Sequence, residues 1–184
     1  GFQGDFGNLY VTNEGAQTGS ADRVQEAHDL ANAGGAVSLN MGDYAEALVV
    51  TKNLTMSPLS NTSDTVSLDD LTMNGSSIQL TIDDNLRINS SLTFTDGNID
   101  AADGAVILGT AVPDPAEGAS SKLTGAMTIE PRDIGTGALD ILGVSIGAGP
   151  DDLGNIYISR ETGPDAVIDD GPNTSIGANW QIDV

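Results

Sequence analysis

The chain has 184 residues, no cysteine, one histidine, one tryptophan and 23 glycines, and its formal net charge is −21. The missing cysteine excludes disulfides and thiolate metal sites, and the charge opposes any partnership with nucleic acid phosphates or an anionic membrane surface. No apolar run is long enough to insert into and span a bilayer.

Many glycines with few aromatics predict tight turns around a core of Val, Ile, Leu and Ala. A surface rich in Asn, Thr, Ser, Gly and Asp is that of an extracellular chain. No signal peptide opens at Gly1, as expected of a mature or excised product. In residues 1–19, Leu9-Tyr10-Val11 reads as a first strand. Phe2 and Phe6 stand on a Gly-rich arm, which is either a packed loop or an arm that docks on a neighbour.

From Ser20 to Met56 the pattern changes. Ser20 is a suitable helix N-cap and Asp22 sits in the first turn, where the helix dipole favours an acid. Val24, Ala27, His28, Leu30 and Ala31 share one side at helical spacing. Gly34 and Gly35 stop the helix. Strands then follow over Ala36–Leu39 and Ala47–Met56, with Gly42-Asp43 as a turn. The run of Val24, Ala27, Leu30, Ala33, Gly34, Gly35, Val37, Gly42, Tyr44, Val49, Lys52, Leu54 and Thr55 resembles the start of secreted right-handed parallel β-helix surface proteins, the adhesin and pectate-lyase-like solenoids. The resemblance implies a short helix that covers the open end of the coil. It implies a fold and carries no chemistry.

A polar-Leu-Thr-apolar motif recurs at Asn53–Met56, Asp70–Met73 and Ser91–Phe94. The copies lie roughly twenty residues apart, the length of one solenoid turn. Ile78, Leu80 and Ile82 alternate with Gln79, Thr81 and Asp83, as strand faces do. Gly75, Gly97 and Gly104 mark corners that call for positive φ. Stacked coils would bury Leu, Ile, Val and Met as ladders. An antiparallel sandwich is the rival reading of the same short strands. Thr55, Thr72 and Thr93 would form one threonine column, a weak version of an ice-binding face.

Thr110–Ser121 is rich in Pro, Ala, Gly and Ser and reads as a linker or long loop. Leu123–Glu130, Leu139–Ile146, Asn155–Glu161 and Ser175–Val184 then read as strands of an antiparallel unit. Gly143–Ile146, Asp152–Gly163 and Ser175, Ile176, Trp180 and Ile182 resemble a segment of large type IX-secreted bacterial surface proteins. Asn179 departs from the basic residue usual in that segment before the tryptophan. The expected fold is therefore all-β: a short right-handed parallel β-helix with an N-terminal capping helix over residues 1–109, a linker over 110–121, and a small antiparallel unit over 122–184, packed on or following the solenoid.

Candidate chemistry is sparse. Asp96, Asn98, Asp100 and Asp103 offer oxygen ligands at alternating positions, as calcium loops do, although Ala101 and Ile107 depart from the EF-hand pattern; ordinary turn chemistry explains the same residues. Calcium is the single cofactor they suggest. His28 has no second histidine for a metal pair. A lyase or glycosidase would need paired carboxylates or a basic proton abstractor, and Arg87 is the one basic residue between Lys52 and the linker. The expectation is a non-enzymatic extracellular structural protein: a self-associating subunit of a surface fibre or matrix, or an adhesin segment. Phe2, Phe6, Trp180 and Ile182 on the terminal segments would serve assembly into a homo-oligomer or fibre. A β-helix that binds or cleaves a glycan or another cell-surface ligand is the alternative, and an ice-binding protein the third.

Overall fold

The computed structural model describes residues 6–15, 23–59, 65–118, 120–163 and 178–184. Phe2, Ser20, Asp22, Ser175 and Ile176 lie outside these residues. The protein is all-β, a mostly parallel β-solenoid of about four turns with one short helix and a small antiparallel sheet.

Strand β1 (Asn8–Val11) pairs in parallel with β2 (Gly35–Leu39), and β2 with β4 (Leu54–Pro58). Helix α1 (Arg23–Leu30) comes between β1 and β2, and β3 (Gly42–Val50) between β2 and β4. Two long strands bend around the corners of the coil: β5 (Val66–Ile82) and β6 (Leu86–Leu108). The start of β5 stacks on β3 and its end on β4, while β6 stacks on β5 from Leu86 to Asp100, with shifts of register at the corners. The expected break at Gly42-Asp43 is instead the start of β3, because Gly42, Asp43 and Tyr44 pair with Val66, Ser67 and Leu68 of the next coil.

The core is a set of inward columns. Leu54, Leu80, Ile99 and Leu123 stack through four coils, and each is at most 3% exposed. Leu48, Leu71 and Leu92 form a second column and Tyr44, Leu68 and Ile88 a third. Each buried side chain thus meets its counterparts above and below, so burial, the main favourable term, is repeated coil by coil. The spacing read from the leucine motif holds for Leu71 and Leu92 but not for Leu54, which stacks on Leu80. Thr55 accordingly stands with Thr81 and Asp100, whereas Thr72 and Thr93 continue Val49, so the three threonines do not share a column.

Strand β7 (Leu123–Ile129) was expected in the antiparallel unit, yet it first continues the solenoid. It pairs in parallel with β6, setting Leu123 on Ile99 and Met127 on Val106. Its other edge receives β11 (Asn155–Thr162) in antiparallel sense, and β12 (Ala178–Asp183) closes the sheet against β11. One sheet therefore runs β1-β2-β4-β5-β6-β7-β11-β12. The short β8 (Arg132–Asp133) also pairs with β11, and β9 (Leu139–Ile141) and β10 (Val144–Ile146) make a separate hairpin.

The segment between β6 and β7 is anchored at several points. Val112 is fully buried. Asp114 accepts a hydrogen bond from the Leu142 N–H at 2.6 Å. Glu117 accepts from the Leu123 N–H and pairs with Arg160 of β11 at 2.6 Å. The Arg132 guanidinium donates to the Gly109 and Val112 carbonyls, and burial pushes its pKa down.

Candidate functional site

The two ends of the sheet are its candidate interaction surfaces. A strand that pairs on one side only leaves a row of backbone N–H and C=O groups available to another chain. Among the described strands, β1 pairs only with β2, and β12 only with β11. Both are edges of the same sheet, at opposite ends of its order.

At the β12 end, Trp180 and Ile182 alternate along the strand and so share one face, and Val184 follows just beyond the strand. They are 48%, 45% and 80% exposed. Asn179, Gln181 and Asp183 occupy the other face and are exposed too. β12 is therefore held mainly by its ladder to β11. Trp180 is fixed more firmly than the sequence suggested: its indole N–H donates to the Leu142 carbonyl at 2.9 Å. Leu142 sits at the β9–β10 turn with φ of 53°, next to Gly143 at 77°. Its N–H and C=O are thus both taken, by Asp114 and by Trp180. At the β1 end Tyr10 is 62% exposed. Phe6 is exposed, and its carbonyl accepts from Asn32, while that of Gly7 accepts from Ala36. The segment before β1 is thereby tied to the β2 side. Phe2 lies outside the described residues. Tyr10 and Val184 were missed in the sequence; their signal was alternation within a terminal strand.

The residues proposed for calcium do not form a single loop. All four lie within β6. Asp96 accepts from the N–H of Gly97, Asn98 from the N–H of Lys122, and Asp100 from the Gln79 amide of the coil before; Asp103 is exposed. Among the described residues no group of three or more His, Asp or Glu side chains comes together.

The helix is engaged closely with β3. Glu46 accepts from the Val24 and Gln25 N–H groups of the first turn. Lys52 donates to the Asp29 and Ala31 carbonyls at the other end, at 3.1 and 2.6 Å. An acid at the helix N-terminus and a base at its C-terminus both suit the helix dipole. Between them the Gln25 carboxamide accepts from the Val49 N–H at 2.8 Å and lies 3.4 Å from the Val49 carbonyl. His28 is 2% exposed. It accepts from the Thr51 N–H at Nε2, and its Nδ1 is 2.9 Å from Asp29. That contact, and then the one from Gln25, hold the Asp29 carboxyl below the usual aspartate range. Val24, Ala27, His28 and Ala31 are buried as their spacing predicts, whereas Leu30 is 53% exposed.

One groove, of about 510 Å³, crosses the coils beside Met41, Asp43, Ser67, Arg87 and Glu130. Asp43, Ser67 and Arg87 are in register on three successive coils. Ser67 donates to Asp43 at 2.7 Å, and Arg87 pairs with Glu130 at 2.8 Å. The guanidinium is thus already committed to a carboxylate of its own chain. Comparison with protein-family models, curated proteins and solved structures finds no match to this chain.

Proposed function

We propose that this chain is a non-enzymatic extracellular structural module, a self-associating subunit of a surface fibre or matrix or a segment of an adhesin. Neighbouring copies join through the end strands of the sheet. In this reading the coil is right-handed, and α1 is the lid of its first turn, leaving the outer edge of β1 for a neighbour. One observation carries the proposal: among the described strands, the two ends of one continuous sheet each pair on one side only, and each has exposed large side chains, Tyr10 on β1 and Trp180 and Ile182 on β12. β1 and β12 are different surfaces. A join between them is head-to-tail and repeats from copy to copy, and in this reading it does not close on itself and so builds a filament. The composition supports an extracellular setting.

The test is light scattering against protein concentration, with negative-stain imaging, for the natural chain and for Ile182→Lys. A lysine on an edge strand blocks strand addition. The natural chain should grow in mass with concentration and show linear assemblies, and the variant should stay as single copies. Because Ile182 is exposed, the unfolding free energy should stay within about 0.5 kcal/mol. A natural chain that remains a monomer at every concentration overturns the proposal. The second reading is favoured by the groove at Asp43, Ser67, Arg87 and Glu130, whose mixed donors and acceptors suit a hydroxylated ligand such as a glycan. A glycan array and a reducing-end assay distinguish binding from cleavage there.

A further inference from the structure

Among the described strands β3 pairs only with β5, so its other edge has no strand neighbour. Helix side chains occupy that edge instead. Gln25 meets the backbone of Val49, and His28 takes the N–H of Thr51. A backbone N–H can only donate, so Nε2 of His28 must be bare. The neutral ring then carries its hydrogen on Nδ1 and donates to Asp29. This one tautomer satisfies both contacts, and the Gln25 carboxamide nitrogen, 3.3 Å from Nδ1, then donates to Asp29 at 2.9 Å instead of to the ring. Protonation would place a second N–H against that of Thr51, at a side chain 2% exposed, and two facing donors cannot bond.

We infer that His28 is an acid-sensitive latch: its neutral ring holds α1 on the free edge of β3, and its protonation releases the helix from that edge. Two charged groups lie beside the ring: Asp29 at 2.9 Å from Nδ1, and Lys52 on the Asp29 and Ala31 carbonyls. Glu26 and Arg23 lie on α1 itself, Glu46 and Tyr44 on β3 and Tyr10 on β1, while β2 contributes no titratable side chain. Asp29 is the next residue in the chain and stays near the ring on release, whereas the conflict with Thr51 is relieved by it. The helix has eight residues, too few to persist alone in water, so its hold on β3 and its folding are one event. This inference is independent of the assembly reading.

The experiment follows hydrogen exchange at the Thr51 amide in the full chain, corrected for the intrinsic pH dependence, across roughly pH 5 to 8, where imidazole titrates. Protection should be constant at the alkaline end. Below the histidine midpoint it should fall about tenfold per pH unit, the slope of one proton coupled to opening. His28→Gln keeps an acceptor and cannot gain that proton, so its Thr51 protection should be flat over the range. A flat natural chain, or a variant that tracks it, overturns the latch. Should the variant fail to fold, nitrogen NMR of the natural chain decides. The chain has one histidine, so the signals are unambiguous: Nδ1–H at neutral pH supports the latch, and Nε2–H overturns it.

Discussion

Two residues show how tightly the coils constrain single positions. Gly104 was expected to serve a corner through positive φ, but it is not among the residues with left-handed backbone, unlike Gly97 at 97°. Its constraint is contact: a Cβ there would lie 2.5 Å from the Asp84 carbonyl oxygen of the coil before. Backbone cannot swing aside as a side chain can, so Gly104→Ala should destabilise by about 1–3 kcal/mol, seen as a lower denaturant midpoint. Tyr44 is constrained by chemistry. It is 3% exposed, and its hydroxyl donates to the Asn40 carbonyl at 2.9 Å. Burial first, then the nearby Tyr10 and Glu46, push its pKa from 10.0 up to about 12. The folded state therefore keeps a proton that the unfolded state loses, so this contribution is intact below pH 10 and drains away as pH rises towards about 12. Tyr44→Phe should cost about 1 kcal/mol at neutral pH from the lost hydrogen bond. It should also flatten that part of the alkaline loss, as read from unfolding midpoints over a pH series.

At the scale of elements, α1 is a helix whose ends are satisfied by side chains on β3 and just after it. Glu46 and Lys52 meet its two termini, so Lys52→Met should weaken its docking by about 0.5–2 kcal/mol. Hydrogen exchange confined to α1 and the Val49–Thr51 edge would measure this, and a change spread over the whole chain would contradict it. The helix itself was legible, because Val24, Ala27 and Ala31 recur at its period. Its partners were not, since nothing local in the sequence says that Gln25 will meet Val49. The coil was legible where its length stays regular, as between Asp70 and Ser91, bonded across 21 residues. It was illegible where a corner lengthens the turn: Asn53 bonds to Gln79 across 26 residues, which moves Leu54 out of the Leu71 column. β7 was misplaced for a related reason. Alternation along Leu123–Ile129 fits parallel and antiparallel neighbours equally, and the strand has one of each. The β12 edge could be read as an exposed apolar terminus, but the Trp180 anchor depends on a Leu142 carbonyl presented by a turn far away in sequence.

At the scale of the whole molecule, charge decides how the proposed assembly must behave. Each copy carries −21, so bringing copies together is opposed by repulsion. Few cations remain to offset it. Arg87 and Arg160 are held by Glu130 and Glu117 of the same chain; Arg23, Lys52 and Arg132 donate to its own carbonyls. The attraction between β1 and β12 would then have to come from backbone hydrogen bonds and from the Trp180, Ile182 and Val184 side chains, neither of which is screened by salt. Raising ionic strength from about 0.01 to 0.15 M shortens the screening length from about 30 to 8 Å. Repulsion should fall while the attraction stays. Association followed by light scattering should therefore begin at a lower protein concentration in the higher salt, and Ile182→Lys should abolish it at both. Association that weakens as salt rises would show that charge pairs drive it, and the edge-strand mechanism would not survive that result.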